Sequence, residues 1–579
     1  MAWLIGKLRL FSLKSNLKMN KFLKIIMAFL AISTGAFAQK EDVPKGWHLM
    51  DQKSSGFYGV SADKAYSFLK SKNLKSKTVI VAIIDSGIDT LQEDLKDILW
   101  TNPKEIPGNG IDDDHNGYVD DVHGWNFIGG KDGQNVKEDS YEGSRVYHSL
   151  KDRWGDKEVD VTKLSPADKT EYLMYKKAEE KVIGEGGGSS AFDMIMLKGL
   201  RTSLQRSDSI LKGGIGKEIY TGKELEAYTT KSLQEKKAKE TLLDLMKKND
   251  SMDQTNKDFL DGLTEFISGE ERKEESRNNP PKTYRKDIVK DDETNLNDRN
   301  YGNNDIMAST PMHGTHCAGI IGAIRNNGKG MDGIADNVRI MMIRAVPDGD
   351  EHDKDIANAI RYAVDNGAQI ISMSFGKDFS PQKQWVDDAI RYAESKNVLL
   401  VHAAGNDAKN VDTADNFPNP VYIDGKGRAG NVITVGASGD PKAGGLTASF
   451  SNYGKKEVDV FSPGVKIYST LPGGNVYGNL QGTSMACPLV AGIAALTLEY
   501  FPKLTAKDLK YIIEKSAQLP DFKVKKPGTD DKVNLIEISK TGGIVNAYEA
   551  VKLASTYKGH DKPVKEVLPK SKLVKKKKG

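Results

Sequence analysis

The run Lys77-Thr-Val-Ile-Val-Ala-Ile-Ile84, ending on Asp85, constrains the fold more than any other feature of the chain. It is nearly all apolar and rich in β-branched residues, without the polar alternation of a half-exposed strand. Such a run suits a parallel strand buried on both faces. Comparable strands are expected at 338–346, 369–373, 398–402 and 432–435, with helical patterns between them at 355–364 and 382–395 and a further one at 484–500. Strands alternating with helices imply βαβ units, so the expected fold class is α/β: a doubly wound parallel sheet with helices on both faces. Functional side chains in such folds gather at the carboxyl ends of the strands.

The stretch 131–296 has a different character. It is rich in Lys and Glu and lacks strand-like runs. Ser165-Pro-Ala-Asp168 and Thr221-Gly-Lys-Glu224 each place a capping residue three positions before an acid, the signature of a helix start. Helices are expected near 166–183, 192–211, 223–248 and 254–267, with a flexible break at Glu185-Gly-Gly-Gly-Ser-Ser190. This reads as a helical inserted subdomain within a main domain formed by 77–130 and 297–555. Residues 39–76 form an N-terminal segment with a short helix at 62–70, and 556–579 a Lys-rich, solvated tail.

From Met19 the chain carries a basic start, an apolar run over 25–32 and Ala36-Phe-Ala38, the three parts of a secretory signal peptide. Residues 1–38 are therefore read as a cleaved leader, with an N-terminal membrane anchor as the alternative. The apolar run is shorter than the ~20 residues a membrane span needs. Export to the periplasm or the outside is the expectation. The 84 basic and 80 acidic side chains leave a net charge of only +4, which gives no nucleic-acid signature. A monomer is expected. Two cysteines, Cys317 and Cys487, are too few for a disulfide scaffold, so a hydrophobic core must carry stability.

Four short motifs carry the chemistry. A serine hydroxyl needs an adjacent base to act as a nucleophile, and the base needs an orienting group. Asp85-Ser-Gly places a carboxylate at a strand end, where it can hold an imidazole tautomer; read alone, it is also an ordinary strand-ending turn. His313-Gly-Thr-His-Cys-Ala-Gly319 opens a helix on a glycine-flanked histidine, with a zinc site using His313 and His316 as the competing reading. Gly482-Thr-Ser-Met-Ala-Cys-Pro488 starts an apolar core helix on Ser484, where free backbone N–H groups can stabilise an oxyanion. Ala403-Ala-Gly-Asn406 offers a carboxamide as a second donor after a strand.

Together and in this order, these segments resemble the signature blocks of the subtilisin-like serine proteases, the subtilases. The resemblance covers about 50–130 and 297–555. It implies Ser484 as nucleophile, His313 as general base, Asp85 as its orienter and Asn406 as oxyanion donor, with no cofactor for catalysis. It also implies that Ser374, Phe375 and Gly376 line the primary specificity pocket with Ala404 and Gly405, and it sets Val346-Pro-Asp-Gly349 opposite as a second substrate strand. The pocket floor is expected within 407–422, and apolar or aromatic P1 side chains are the expectation. The chain departs from the family pattern in three places. Leu489 stands where a histidine is usual, the 39–76 segment is short for a folded inhibitory propeptide, and 228 positions (313 minus 85) separate Asp85 from His313. The insertion supplies that excess and enters beside the cleft, so a lid over Ser484 is expected. A catalytically silent binding protein of the same fold is the alternative.

Asp112, Asp114, Asn116, Tyr118 and Asp120 stand at alternate positions around Gly117, the early part of a calcium loop, but the loop lacks the closing glutamate. Structural calcium is expected there, against an acidic solvated turn. Cys317 and Cys487 are read as buried thiols.

Overall fold

The computed structural model describes residues 43–559 except 156, 185–190, 250, 253 and 309–310. The leader, the break at 185–190 and most of the Lys-rich tail lie outside the described residues. Seven parallel strands form the main sheet: β1 (Val79–Asp85), β2 (Gly124–Asn126), β3 (Val338–Arg344), β4 (Ile370–Met373), β5 (Leu399–Ala403), β6 (Val432–Ser438) and β7 (Val460–Pro463). Their order is β2-β3-β1-β4-β5-β6-β7. The chain adds β2 and β3 on one side of β1, then β4 to β7 on the other. The winding direction thus reverses between β1 and β4, and the crevice beyond their carboxyl ends is where doubly wound folds bind ligands. A hairpin of β8 (Ile467–Leu471) and β9 (Val476–Leu480) follows.

The helices, in chain order, are α1 (Ala62–Ser71), α2 (Glu142–Trp154), α3 (Pro166–Ile183), α4 (Ala191–Ile215), α5 (Gly222–Ala227), α6 (Leu233–Lys248), α7 (Asn256–Glu275), α8 (Tyr284–Val289), α9 (Met312–Gly322), α10 (Asp353–Asp365), α11 (Lys383–Ser395), α12 (Thr483–Tyr500), α13 (Ala506–Ser516) and α14 (Ala547–Ala554). α9 and α12 to α14 pack with α1 on one face of the sheet, in a core that includes Val81, Ile83, Ile320, Leu489 and Leu496. α10 and α11 cover the other face around Ile84, Ile360, Ile371 and Ile390. Both faces of every central strand are buried, which is why β1 reads as a continuous apolar run rather than an alternating one. By length and composition α12 could cross a membrane, but 89% of it is buried inside the protein.

The described chain falls into two compact units. One comprises 41–178 and 280 onward, and so takes in α2, α8 and most of α3. The other, 179–279, holds α4 to α7 around Leu204, Leu211, Leu242 and Met246. The helix expected over 223–248 is two, because Thr221 closes a full capping box on α5 and Ser232 caps a second start at α6. The segment 43–76 packs into the main core. The buried Trp47 indole donates to the Val465 and Lys466 carbonyls at 3.1 and 3.2 Å, and Asn546 Nδ2 donates to Ser61 Oγ at 2.9 Å.

Candidate active site

Asp85 is the last residue of β1 and is buried. Its backbone lies in register with Arg344 at the end of β3. The Ser86 amide donates to its Oδ1 at 2.7 Å, so the carboxylate is held at the strand end. His313 stands in the first turn of α9, and its Nδ1 meets Asp85 Oδ1 and Oδ2 at 2.8 and 3.0 Å. The close approach depends on glycine. A Cβ on Gly314 would lie 2.1 Å from the Gly87 carbonyl oxygen, and Gly87 itself has φ +126°. Burial disfavours the charged imidazole, but the adjacent Asp85 carboxylate outweighs it and raises the His313 pKa well above the ordinary histidine range.

Ser484 follows Thr483 at the start of α12, and its hydroxyl donates to the Ser374 carbonyl at 3.0 Å. Ser374 Oγ in turn donates to the Ser484 carbonyl at 3.0 Å, tying the serine to the segment that leaves β4. Asn406 follows β5. Its Oδ1 accepts from both Thr483 N and Thr483 Oγ1 at 2.9 Å, which turns the amide N–H₂ away from Thr483. Thr483 Oγ1 also accepts from Gly405 N at 3.1 Å. Asp85, His313, Ser484, Asn406, Ser374, Phe375, Gly376, Ala404 and Gly405 are thus gathered around the carboxyl ends of β1, β4 and β5.

The other histidines and both thiols play a different part. His316 is buried and donates from Nε2 to the Gly478 carbonyl, 3.2 Å away, with its pKa pushed down to about 3 by burial. Among the described residues His313 groups with Asp85 and Cys317 rather than with His316, which disfavours the zinc pairing. Both cysteines are free and buried. Cys317 donates to the Ser484 carbonyl at 3.4 Å and Cys487 to the Val401 carbonyl at 3.2 Å. Burial pushes the Cys487 thiol up to about 12 and raises Cys317 as well, so both act as small packing groups rather than nucleophiles.

A family model for the subtilase family matches residues 76–537. The chain belongs to the subtilase family. Among curated relatives, this subtilase is 44% identical over 185 residues to "Thermophilic serine proteinase" of Bacillus sp. (strain AK1), covering 32% of this chain and 42% of that one. It is 38% identical over 248 residues to thermitase of Thermoactinomyces vulgaris, covering 42% and 77%. It is 38% identical over 208 residues to subtilisin DY of Bacillus licheniformis, covering 35% and 70%. The chain thus spans less than half the length of the first of these relatives.

Two features of the subtilase site escaped sequence reading. Arg344 is fully buried behind Asp85, donating from Nε to the Ser86 carbonyl at 3.0 Å and from one terminal nitrogen to Asn126 Oδ1 at 3.1 Å. Its only sequence signal is a charge closing the apolar run Ile340-Met-Met-Ile343 of β3. The second is Lys377, one residue past the pocket segment. It is buried, bonded through Nζ to Glu142 Oε2 at 2.8 Å and to the Glu351 carbonyl at 2.7 Å, and paired with Asp353 at 2.9 Å.

The expected calcium residues lie apart from this site, on the loop between Asn102 and β2. Asp112 Oδ2 accepts from Gly117 N at 2.8 Å, and Asp114 Oδ1 from Asn116 N at 3.1 Å. Asp112 and Asp114 cluster with Glu105, which sequence reading did not single out. The Asp120 carboxylate is taken by the amides of Gly108, Asn109 and Gly110 at 2.7 to 3.2 Å. The Tyr118 ring packs against Trp125 and Tyr362, each 5.0 Å away between centroids, so only its backbone could serve a cation.

Proposed function

We propose that this subtilase is an exported serine endopeptidase that cleaves peptide bonds through an acyl-enzyme. Ser484 Oγ attacks the scissile carbonyl carbon, and its proton passes to His313 Nε2, the ring nitrogen facing away from Asp85. Asp85 holds the tautomer and stabilises the imidazolium that forms. The α12 N-terminus and the Asn406 N–H₂ receive the oxyanion. The proton then goes from His313 to the departing amine, and water completes the second half by the same route. The observation that carries this reading is the 2.8 Å Asp85–His313 bond beside a helix N-terminus bearing Ser484. In the described geometry the Ser484 hydroxyl still points to Ser374; catalytic hydrogen bonds commonly tighten only with substrate bound. A serine-reactive phosphonate should label the wild type and leave Ser484→Ala unlabelled. An unlabelled wild type would favour the silent, binding-only alternative.

Export rests on the leader after Met19 and on relatives such as "Cell wall-associated protease" of Bacillus subtilis and "Extracellular protease" of Xanthomonas campestris. The products and substrates are then protein or peptide, met in the periplasm or outside, by a monomer.

Structural calcium is the proposal for the Asp112 loop. Glu105 supports it: the residue is 7% exposed, its Oε2 has no hydrogen-bond partner among the described residues, and it lies in one cluster with Asp112 and Asp114. A buried carboxylate oxygen left unpaired is costly unless a cation meets it. Chelation should lower the melting temperature and added calcium restore it; an unchanged melting temperature removes the proposal.

A further inference from the structure

The two stretches expected to flank substrate are Ser374-Phe-Gly376, leaving β4, and Val346-Pro-Asp-Gly349, which leaves β3 and runs on into Asp350 and Glu351. The second stretch is already paired along one edge. Asp348 N donates to the Lys137 carbonyl at 2.9 Å, its own carbonyl accepts from Asp139 N at 2.8 Å, and Asp350 N donates to the Ser140 carbonyl at 3.3 Å. Successive residues of an extended chain turn their backbone groups to opposite edges. Asp348 and Asp350 therefore face 137–140, and the Glu351 carbonyl is turned to the other edge, toward the β4 side. An extended peptide binds by adding a strand to an edge of this kind.

That edge is occupied at Glu351. Lys377, the residue after Gly376, reaches across from the β4 side and donates from Nζ to the Glu351 carbonyl at 2.7 Å. Arg145 donates to the same oxygen at 3.3 Å, so both of its lone pairs are taken. The lysine is buried, and its ammonium is clamped by Glu142 at 2.8 Å and Asp353 at 2.9 Å. Glu142 and Arg145 belong to α2, so the 131–296 stretch supplies the lock. Beside it, the space lined by Glu351, Asp353, Lys377 and Phe417 is a cavity of about 10 Å³, room for about one water. Pulling Lys377 aside would leave Glu142 and Asp353 buried and short of a cation, so the bar is fixed rather than adaptable.

We infer that the Lys377–Glu351 bar ends the substrate groove three residues ahead of the scissile bond, so that P1 to P3 are held and P4 is shut out. The inference rests on the endopeptidase reading above. The count comes from the backbone. Ser374 marks the level of P1, because its carbonyl holds the Ser484 hydroxyl at 3.0 Å. A peptide laid along this segment advances one residue for each of the segment's own, about 3.3 Å at a time. It passes Phe375 and Gly376 and meets the bar with its fourth residue, level with Lys377. A longer substrate must leave the groove at P3, and its earlier residues add nothing to the binding that lowers the barrier.

The test is kcat/KM on acetylated peptides that share one P1 residue and one leaving group and carry two to six residues ahead of the scissile bond, for the full chain and for Lys377→Gly. In the wild type kcat/KM should climb as the third residue is added and then stay within ~3-fold out to six, short of the ~10-fold or more that filling a further pocket confers. Lys377→Gly should raise the ratio of the six-residue to the three-residue peptide by ~10-fold or more, a gain that a misfolded variant cannot mimic. The wild-type series decides by itself should that variant fail to fold. A wild type that gains ~10-fold from P4, or a variant that takes the phosphonate label with its ratio unchanged, would overturn the assignment while leaving the peptidase reading intact. No cleavage of any peptide, together with no phosphonate labelling of the wild type, would overturn both.

Discussion

At the scale of single residues, the site is a set of polar groups whose freedom has been removed. Asp85 is buried and pinned, so its charge acts on His313 at short range and raises the imidazole pKa. A base held this way is protonated at higher pH than a free histidine, and kcat/KM should fall on the acid side from above about pH 6.5. Asp85→Asn removes the charge that favours imidazolium. Its acid limb should therefore move to lower pH, while activity drops on the order of 10⁴-fold because the tautomer is no longer enforced. A pH–rate profile with an unmoved limb would mean that Asp85 does not govern His313. Asn406→Ala leaves the Thr483 amide and hydroxyl without their acceptor and deletes the outward N–H₂. It should cost ~10²–10³ in kcat with little change in KM, the range subtilisins themselves give for this donor.

Among elements, α2 has the most consequential attachment. It belongs to the 131–296 stretch read as an insertion, yet its first residue, Glu142, reaches the pocket wall through Lys377. Arg145 closes the other side, 2.7 Å from Glu142, and also donates to backbone carbonyls at Asp350 and Glu351. Burial opposes the Glu142 charge, but Arg145 and Lys377 hold its carboxyl well below the ordinary range. Glu142→Ala leaves two buried cations short of a partner. Unfolding by urea should show a loss of about 3 kcal/mol or more, the usual consequence of breaking a buried pair from one side. A loss under about 1 kcal/mol would show that α2 is not anchored there. Below the ordinary carboxylate range the wild type should lose the same contribution, because a depressed pKa makes stability fall as Glu142 takes up its proton.

At the scale of the whole molecule, one core helix joins Ser484 to a buried carboxylate at its other end. α12 runs from Thr483 to Tyr500 through the core, and near its end sits Glu499, fully buried. Burial, then the charge of Asp336, pushes its carboxyl up to about 9. The folded state therefore takes up a proton that the unfolded chain releases near 4.5. This contribution to stability is complete below about pH 4.5 and is lost as pH rises toward 9. Denaturation curves over that window should show wild-type stability falling, with Glu499→Gln flatter. Parallel slopes would place the titration elsewhere. Residues 43–76 add to the same core through Trp47 and α1, so removing them should expose apolar surface rather than uncover the active site.

The parallel sheet was legible because strands buried on both faces must be continuously apolar, and Lys77–Ile84 could hardly be anything else. The candidate site residues were legible because Asp85, His313, Asn406 and Ser484 each sit at an element end flagged by glycine or by a change of periodicity. β7 and α2 were not, since a four-residue strand and a helix starting at Glu142 carry little pattern of their own. Nothing local marks Lys377 either, and Arg344 shows only as a charge after an apolar run. A buried charge is tolerable only when partners distant in sequence meet it. The sequence by itself determined the layers and which polar groups stand at the strand and helix ends, because those depend on local pattern and strand-end chemistry. Tertiary structure alone decided what braces those groups, because that depends on side chains brought together from 142, 353 and 377.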